Sequence, residues 1–230
     1  MNARIETVVL DMAGTTVVDD GLVEEAFARA WDRERGEAMG LDGVDREGAL
    51  QWVRDTMGQS KIEVFRRLLP EDDAQALNRA FEAAYDELVG EGRSIAIEGA
   101  EAAIRALRAQ GRKVVLTTGF ARPTADAIVA SLGWIGLPDL VLTPADAGRG
   151  RPLPDLNLMA LIRTQASSVH AIAVVGDTAT DIGSGLAAGA GLVVGVLTGA
   201  TPREAFETAG AHQVLGSVAE LPELLERLGR

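Results

Sequence analysis

Four clusters of polar residues in this chain have the types and the order that phosphoryl chemistry needs. They are Asp11-Met12-Ala13-Gly14-Thr15-Thr16, Thr117-Thr118-Gly119, Gly150-Arg151-Pro152 and Gly176-Asp177-Thr178-Ala179-Thr180-Asp181. A carboxylate such as Asp11 can accept a phosphoryl group and split its transfer into two steps, provided the repulsion between the two anions is neutralised. Mg²⁺ suits that task, because it prefers an octahedron of oxygens and keeps several waters. Asp11, the backbone carbonyl of Ala13 and Asp177 would then suffice as protein ligands. Asp181, one helical turn beyond Asp177, is placed to orient the water shell of the metal. Thr15, Thr117 and the backbone N–H groups of Thr118 and Gly119 are candidates to bind phosphate oxygens, and Arg151 supplies a fixed cation near the developing charge. Any one of these segments alone reads as readily as a turn or a helix cap. Their ordered set is what points to catalysis.

These clusters need elements to hold them. Short runs rich in Val, Ile and Leu recur at Thr7–Leu10, Lys113–Thr117, Asp139–Thr143, Ala171–Val175 and Leu192–Leu197, with amphipathic helical stretches between them. That alternation predicts β-α-β units around a parallel sheet, a Rossmann-like doubly wound α/β core. Ligands of open α/β sheets bind beyond the carboxyl ends of the strands, where the four clusters fall. From about Leu22 to Gly92 the texture is helical only, with candidate caps at Asp45 and Ser60 and a long helical pattern over 72–89. A block of that size is too long for a loop and reads as a small all-helical cap domain. The expected division is a core of residues 1–18 and 95–230 and a cap of residues 19–94, joined through 18–21 and 90–95. Helices are expected over 98–110 and 219–228.

Composition narrows the partners. At 230 residues and 47% hydrophobic content, the chain carries one α/β core plus a small accessory domain. It has no cysteine, which removes disulfides, thiolate metal sites and a cysteine nucleophile and fits a reducing cytoplasm. No stretch approaches the roughly 20 apolar residues that span a bilayer, so the expectation is a soluble, unsecreted, cytoplasmic protein with no membrane partner. A net charge of −12, with Lys and Arg scattered, argues against nucleic acid. It also means that a phosphate site must concentrate positive charge locally.

The order D-M-A-G-T-T, T-T-G, G-R-P and G-D-T-A-T-D resembles the four motifs of the haloacid dehalogenase superfamily, and the helical insertion resembles that superfamily's helical cap. Ordinary phosphatases of the superfamily carry an Asp two residues after the nucleophile as general acid and base; here Ala13 stands there. The first motif is similar instead to that of the phosphonatase branch, the phosphonoacetaldehyde hydrolases. The resemblance implies Mg²⁺-dependent cleavage of a carbon–phosphorus bond after a cap lysine condenses with the substrate aldehyde. Met57-Gly58-Gln59-Ser60-Lys61-Ile62 resembles the M-G-x-x-K-I segment of that branch, putting Lys61 at the imine-forming position with Met57 beside the substrate. A desolvated lysine has a lowered pKa and is nucleophilic; the alternative is a solvated lysine at a helix start. The resemblance also implies a homodimer through the caps. Two departures stand out: Val64 where the branch has a proton-shuttling His, and Phe120 where it has Tyr.

Two other readings remain at this point: a phosphatase for a small, phosphoglycolate-like monoester, and a degenerate phosphate-binding interaction module. Further features have bland explanations. His170 and His212 are too few for zinc, and His170 just before a strand is most simply structural. Gly183, Gly185 and Gly189 miss the dinucleotide fingerprint and suit close helix packing. Trp31, Trp52 and Phe65 read as cap core, and Arg122 and Arg149 as solvated surface.

Overall fold

The computed structural model describes residues 4–229, so positions 1–3 and 230 of the expected core segments lie outside the described residues. Six strands form one sheet: β1 (Thr7–Asp11), β2 (Lys113–Thr117), β3 (Leu140–Leu142), β4 (Ile172–Gly176), β5 (Leu192–Val196) and β6 (Gln213–Leu215). All their pairings are parallel, in the order β3-β2-β1-β4-β5-β6. β1 reads Thr-Val-Val-Leu-Asp and is buried throughout, as a strand covered on both faces must be. Val8 and Leu10 join one apolar cluster while Val9 joins the other, so the period of two divides the strand between two cores.

The expected α/β core is therefore present, with one addition. β6 was not predicted; its three residues, Gln-Val-Leu, are too short to carry a periodic signal. It closes the sheet against β5.

After β1, residues 22–90 form helices and no strand: α1 (Leu22–Glu34), α2 (Arg46–Asp55), α3 (Lys61–Arg66) and α4 (Glu71–Gly90). These make the helical insertion. Asp45 caps α2 as expected, its Oδ1 accepting from the Gly48 N–H at 2.9 Å. Ser60 does occupy the N-cap position of α3, but its hydroxyl makes no capping bond. Phe27, Trp31, Phe65, Phe81 and Tyr85 pack in a chain of ring contacts inside the insertion. Trp52 corrects the expectation of a cap-core residue: it is 37% exposed, with its indole N–H donating to the Val64 carbonyl. The two connecting segments run side by side, Val18 N–H bonding to Ile95 O at 2.8 Å.

The remaining helices cover the sheet. α5 (Ala100–Ala109) leads into β2, and α6 (Arg122–Ser131) follows it. α7 (Pro144–Ala147) and α8 (Asp155–Thr164) separate β3 from β4, α9 (Ala179–Ala187) follows β4, α10 (Arg203–Ala209) precedes β6, and α11 (Leu221–Arg227) ends the described chain. Gly185 on α9 lies so close to the sheet that a Cβ would sit 3.1 Å from side-chain atoms of Val174 and Val193; a Cβ at Gly183 would meet nothing within 4 Å and Gly189 sits at φ +73°, so close packing accounts for Gly185 alone of the three. No helix among the described residues is long and apolar enough to cross a membrane.

Candidate active site

The strand order reverses between β1 and β4, and in doubly wound sheets that switch point is where a crevice opens. Asp11 is the last residue of β1, and Asp177 follows the last residue of β4. The turn after β1 is tied by Thr16, whose hydroxyl donates to the Asp11 carbonyl at 2.9 Å. Asp181 lies on the first turn of α9 and closes a capping box with Thr178: Asp181 N–H donates to Thr178 Oγ1 at 3.2 Å, and Thr178 N–H donates back to Asp181 Oδ2 at 3.1 Å. Asp11, Asp177 and Asp181 thereby come together, each offering a carboxylate oxygen within 4.8 Å of the others, and all three are buried.

Arg151 reaches this cluster from the loop between α7 and α8. Its Nη1 stands 2.5 Å from Asp11 Oδ1 and also bonds to Asp181 Oδ1. Asp11 Oδ1 is close to that cation but is not aligned for a hydrogen bond from any described residue. Burial pushes the Asp11 carboxyl up to about 7, against the pull of Arg151. Burial, then the charges of Asp11 and Asp181, also raise Asp177 well above the usual carboxylate range.

This donor set fits a divalent cation. At 4.8 Å two carboxylates in an effective dielectric of about 20 repel by roughly 3–4 kcal/mol. Arg151 balances one of the three charges, so the rest favour a further cation bound to oxygens. The hard-oxygen chemistry of the three clustered carboxylates matches Mg²⁺ better than a soft metal.

A cavity of about 30 Å³ opens beside the cluster, lined in part by Asp11, Ala13, Met57, Lys61, Thr118 and Arg151. Lys61 comes from the helical insertion. It is the first residue of α3, only 4% exposed, and its backbone N–H contacts the Gly119 carbonyl at 3.4 Å. Its ammonium forms no ion pair within 4.0 Å with the described residues. Burial lowers its pKa to about 8, and the charge of Asp19 is the main opposing influence. A solvated lysine at a helix start does not describe it. The insertion lies directly on the core: a Cβ at Gly119 would sit 2.5 Å from the Gln59 carbonyl oxygen, so only glycine permits this approach.

Several expected binding groups are placed differently. The Thr117 hydroxyl donates to the Leu10 carbonyl at 3.4 Å and does not line the cavity, because it points along the sheet toward β1. Thr15 is also outside the lining; its hydroxyl donates to Asp177 Oδ1 at 3.1 Å and holds that carboxylate. The Thr118 N–H is used in the sheet, bonding to Leu142 O at 3.2 Å, while its side chain faces Phe120 N–H. That leaves the Thr118 hydroxyl and the Gly119 N–H as the donors on this side.

Val64 is buried in the apolar core of the insertion, and Phe120 lies against Tyr85 with ring centroids 4.6 Å apart. Arg122 and Arg149 are engaged in ion pairs with Asp146 and Asp155, away from the cavity. His212 Nδ1 accepts from Val193 N–H and is structural. Asp19, Val23, Gly58, Gln59 and Thr178 also line the cavity and were not foreseen. The T-x-x-D spacing of Thr178 and Asp181 is a capping signature that could have flagged Thr178; nothing in the linker sequence distinguishes Asp19 from a solvated residue.

A model of haloacid dehalogenase-like hydrolases matches residues 5–189. The chain belongs to this family. It is 28% identical over 257 residues to phosphonoacetaldehyde hydrolase of Bacillus cytotoxicus, covering 97% of this chain and 96% of that protein. A phosphonoacetaldehyde hydrolase-like protein from Oleispira antarctica superposes with a TM-score of 0.81 at 25% identity, covering 100% of this chain and 94% of the other. A hydrolase from Pseudomonas syringae has the same fold, with a TM-score of 0.82 at 22% identity over 97% of this chain and 99% of that one. The protein is a hydrolase of the haloacid dehalogenase superfamily, with phosphonatase-like relatives.

Proposed function

We propose that this hydrolase cleaves the carbon–phosphorus bond of a small phosphonate aldehyde, phosphonoacetaldehyde or a near relative, with Asp11 as nucleophile and Lys61 as the imine-forming amine. The observation that carries the reading is the burial of Lys61 in the cavity that Asp11 shares, next to Ala13 where a phosphatase of this family needs an acid. A lysine depressed to about 8 has a useful share of neutral amine near neutral pH.

In this reading residues 19–94 act as a cap over a core of 1–18 and 95–230. A cavity of about 30 Å³ holds one or two waters, not a substrate, so the cap opens for binding and closes for chemistry. The Thr118 hydroxyl, the Gly119 N–H and Arg151 bind the phosphonate oxygens, and Met57 packs against the organic part. Asp11, the Ala13 carbonyl and Asp177 would hold Mg²⁺, with Thr15 and Asp181 orienting the ligands. The ion supplies neutralising charge between nucleophile and phosphonate.

The amine of Lys61 adds to the aldehyde carbon and, with loss of water, gives a protonated imine. Asp11 attacks phosphorus in line while the C–P electrons flow to carbon and into the imine. Arg151 offsets the charge that develops on the oxygens. Water then hydrolyses the aspartyl phosphate, and proton return with imine hydrolysis frees acetaldehyde.

The test is phosphonoacetaldehyde turnover with Mg²⁺, followed by phosphate and acetaldehyde release, together with borohydride trapping. A reduced adduct on Lys61 and loss of turnover in Lys61→Arg are expected. Rapid turnover of phosphate monoesters such as phosphoglycolate, with no trapping and no effect of Lys61→Arg, would replace the proposal with a phosphatase. Ligand binding with no phosphate release from any substrate would leave a binding module.

A further inference from the structure

Carbinolamine dehydration needs a proton donor at the departing hydroxyl, and its reversal needs an acceptor. The titratable groups lining the Lys61 cavity are Asp11, Asp19, Asp177 and Lys61 itself, with Arg151 permanently charged. Asp11 is committed to phosphorus and Asp177 to the cation. Val64, one helical turn from Lys61, is apolar and buried. We propose that Asp19 is the proton-transfer residue for imine formation and hydrolysis at Lys61, an inference that rests on the Lys61 reading above.

The geometry is specific. Asp19 lies in the segment joining β1 to α1, and its Oδ1 accepts from the Val23 N–H at 3.4 Å, which fixes the carboxyl at the start of α1. It lines the cavity that holds Lys61 and also an adjoining cavity of about 760 Å³, beside Gly21, Glu24 and Arg54. Asp19 and Asp177 are the titratable side chains that line both cavities, and Asp177 is taken up by the cation, so Asp19 is the one free to pass a proton between them. Asp19 and Lys61 form no ion pair within 4.0 Å although they line the same cavity, which leaves the Lys61 amine uncommitted to that carboxylate. Asp19 exerts the largest charge effect on Lys61, ahead of Arg151, Asp11 and Glu82; Lys61 and Glu24 are the charges acting on Asp19. Burial raises the Asp19 pKa, which favours a carboxyl that can donate.

The neutral Lys61 amine forms the N–C bond as the carbonyl π electrons move to oxygen, and Asp19 relays one proton from nitrogen to that oxygen. The Asp19 carboxyl then gives its own proton to the hydroxyl; the C–O bond breaks, water leaves, and the nitrogen lone pair makes the C=N bond. The products are a protonated imine, water and the Asp19 carboxylate. Imine hydrolysis runs these transfers backwards.

The experiment measures the rate of borohydride trapping on Lys61 by mass spectrometry, with phosphonoacetaldehyde and Mg²⁺, in the parent, Asp19→Asn and Asp19→Glu. Removal of a general acid lowers such steps by about 10²–10⁴-fold. We expect Asp19→Asn to trap at least a hundredfold more slowly at an unchanged melting temperature, with Asp19→Glu recovering much of the loss. The parent rate should carry a limb that falls as pH rises through the Asp19 pKa, whereas Asp19→Asn should lack that limb and rise to a plateau as Lys61 loses its proton. Trapping in Asp19→Asn at the parent rate and with the parent pH profile overturns the Asp19 role and leaves Lys61 standing. No trapping in the parent overturns the Lys61 reading and this inference with it.

Discussion

Arg151 Nη1 lies 2.5 Å from Asp11 Oδ1, a contact between the loop after α7 and the end of β1 that joins two buried charges. The same nitrogen also meets Asp181, so a single cation restrains two of the three clustered carboxylates. Arg151→Ala would leave both uncompensated in a low-dielectric interior, a loss of about 3–5 kcal/mol. For a domain of this size that corresponds to a fall in melting temperature of roughly 6–20 °C. Arg151→Lys should fall between, because one ammonium cannot reproduce the planar fork. Thermal unfolding by circular dichroism decides it; a melting temperature of Arg151→Ala equal to the parent's would mean that the ion pair contributes nothing.

Burial raises Asp11 from its ordinary value to about 7, which gives the metal-free protein a pH signature. Between the unfolded and folded pKa values the native state holds a proton that the unfolded chain has released. Stability from this group is therefore present at low pH and lost as pH rises toward about 7. In EDTA, the difference between the melting temperatures of the parent and Asp11→Asn should change with pH in this window, the parent losing ground as pH rises. Asp11→Asn should also abolish phosphoryl-enzyme formation and phosphate release, both followed with a phosphonate substrate. Turnover by Asp11→Asn at the parent rate would remove the nucleophile from the mechanism.

A cation bound by Asp11, Ala13 and Asp177 stabilises the folded state by mass action. At a hundred times its Kd the gain is about 2.7 kcal/mol, a rise of roughly 5–10 °C in melting temperature. Asp177→Asn should remove most of that rise. Gly14→Ala should do the same by another route: its φ is +82°, and a Cβ there would sit 2.2 Å from Asp177 Oδ2, displacing the carboxylate. A Mg²⁺ titration of all three proteins by differential scanning fluorimetry provides the comparison. An equal Mg²⁺-dependent shift in the three would exclude this cluster as the metal site.

The four strand-end clusters were legible because apolar runs and polar turns alternate with a period that sequence shows directly. Asp11, Asp177 and Arg151 converge as their spacing anticipated, since the parallel sheet leaves only one side for the ends of β1 and β4. The insertion was legible from its length and the absence of any strand-like run. The uses of individual hydrogen bonds were not: Thr118 N–H is consumed by Leu142 and Thr117 is turned toward Leu10, which depends on the exact register of β2 and β3. β6 was lost because three residues have no period. Asp19 was lost because its burial comes from packing against α1 and the insertion, which a linker sequence does not encode.

Glu82 on α4 ties the insertion to the core at the start of α6. Its Oε1 accepts from the Ala121 N–H at 3.2 Å, and its Oε2 accepts from the Thr124 hydroxyl. A carboxylate at a helix N-terminus gains from the helix dipole as well as from the two bonds. Hydrogen bonds to charged groups contribute about 1.5–3 kcal/mol, so Glu82→Ala should shift the balance between closed and open insertion by roughly tenfold to a hundredfold. The cavity around Lys61 would then be open more of the time. Two measurements should move together: Lys61 should react faster with an amine-directed reagent, and kcat/KM should fall because each turnover needs closure. Glu82→Gln keeps the shape and loses the charge, and should lie between the two. Faster modification of Lys61 with undiminished kcat/KM would mean that closure through Glu82 has no part in turnover.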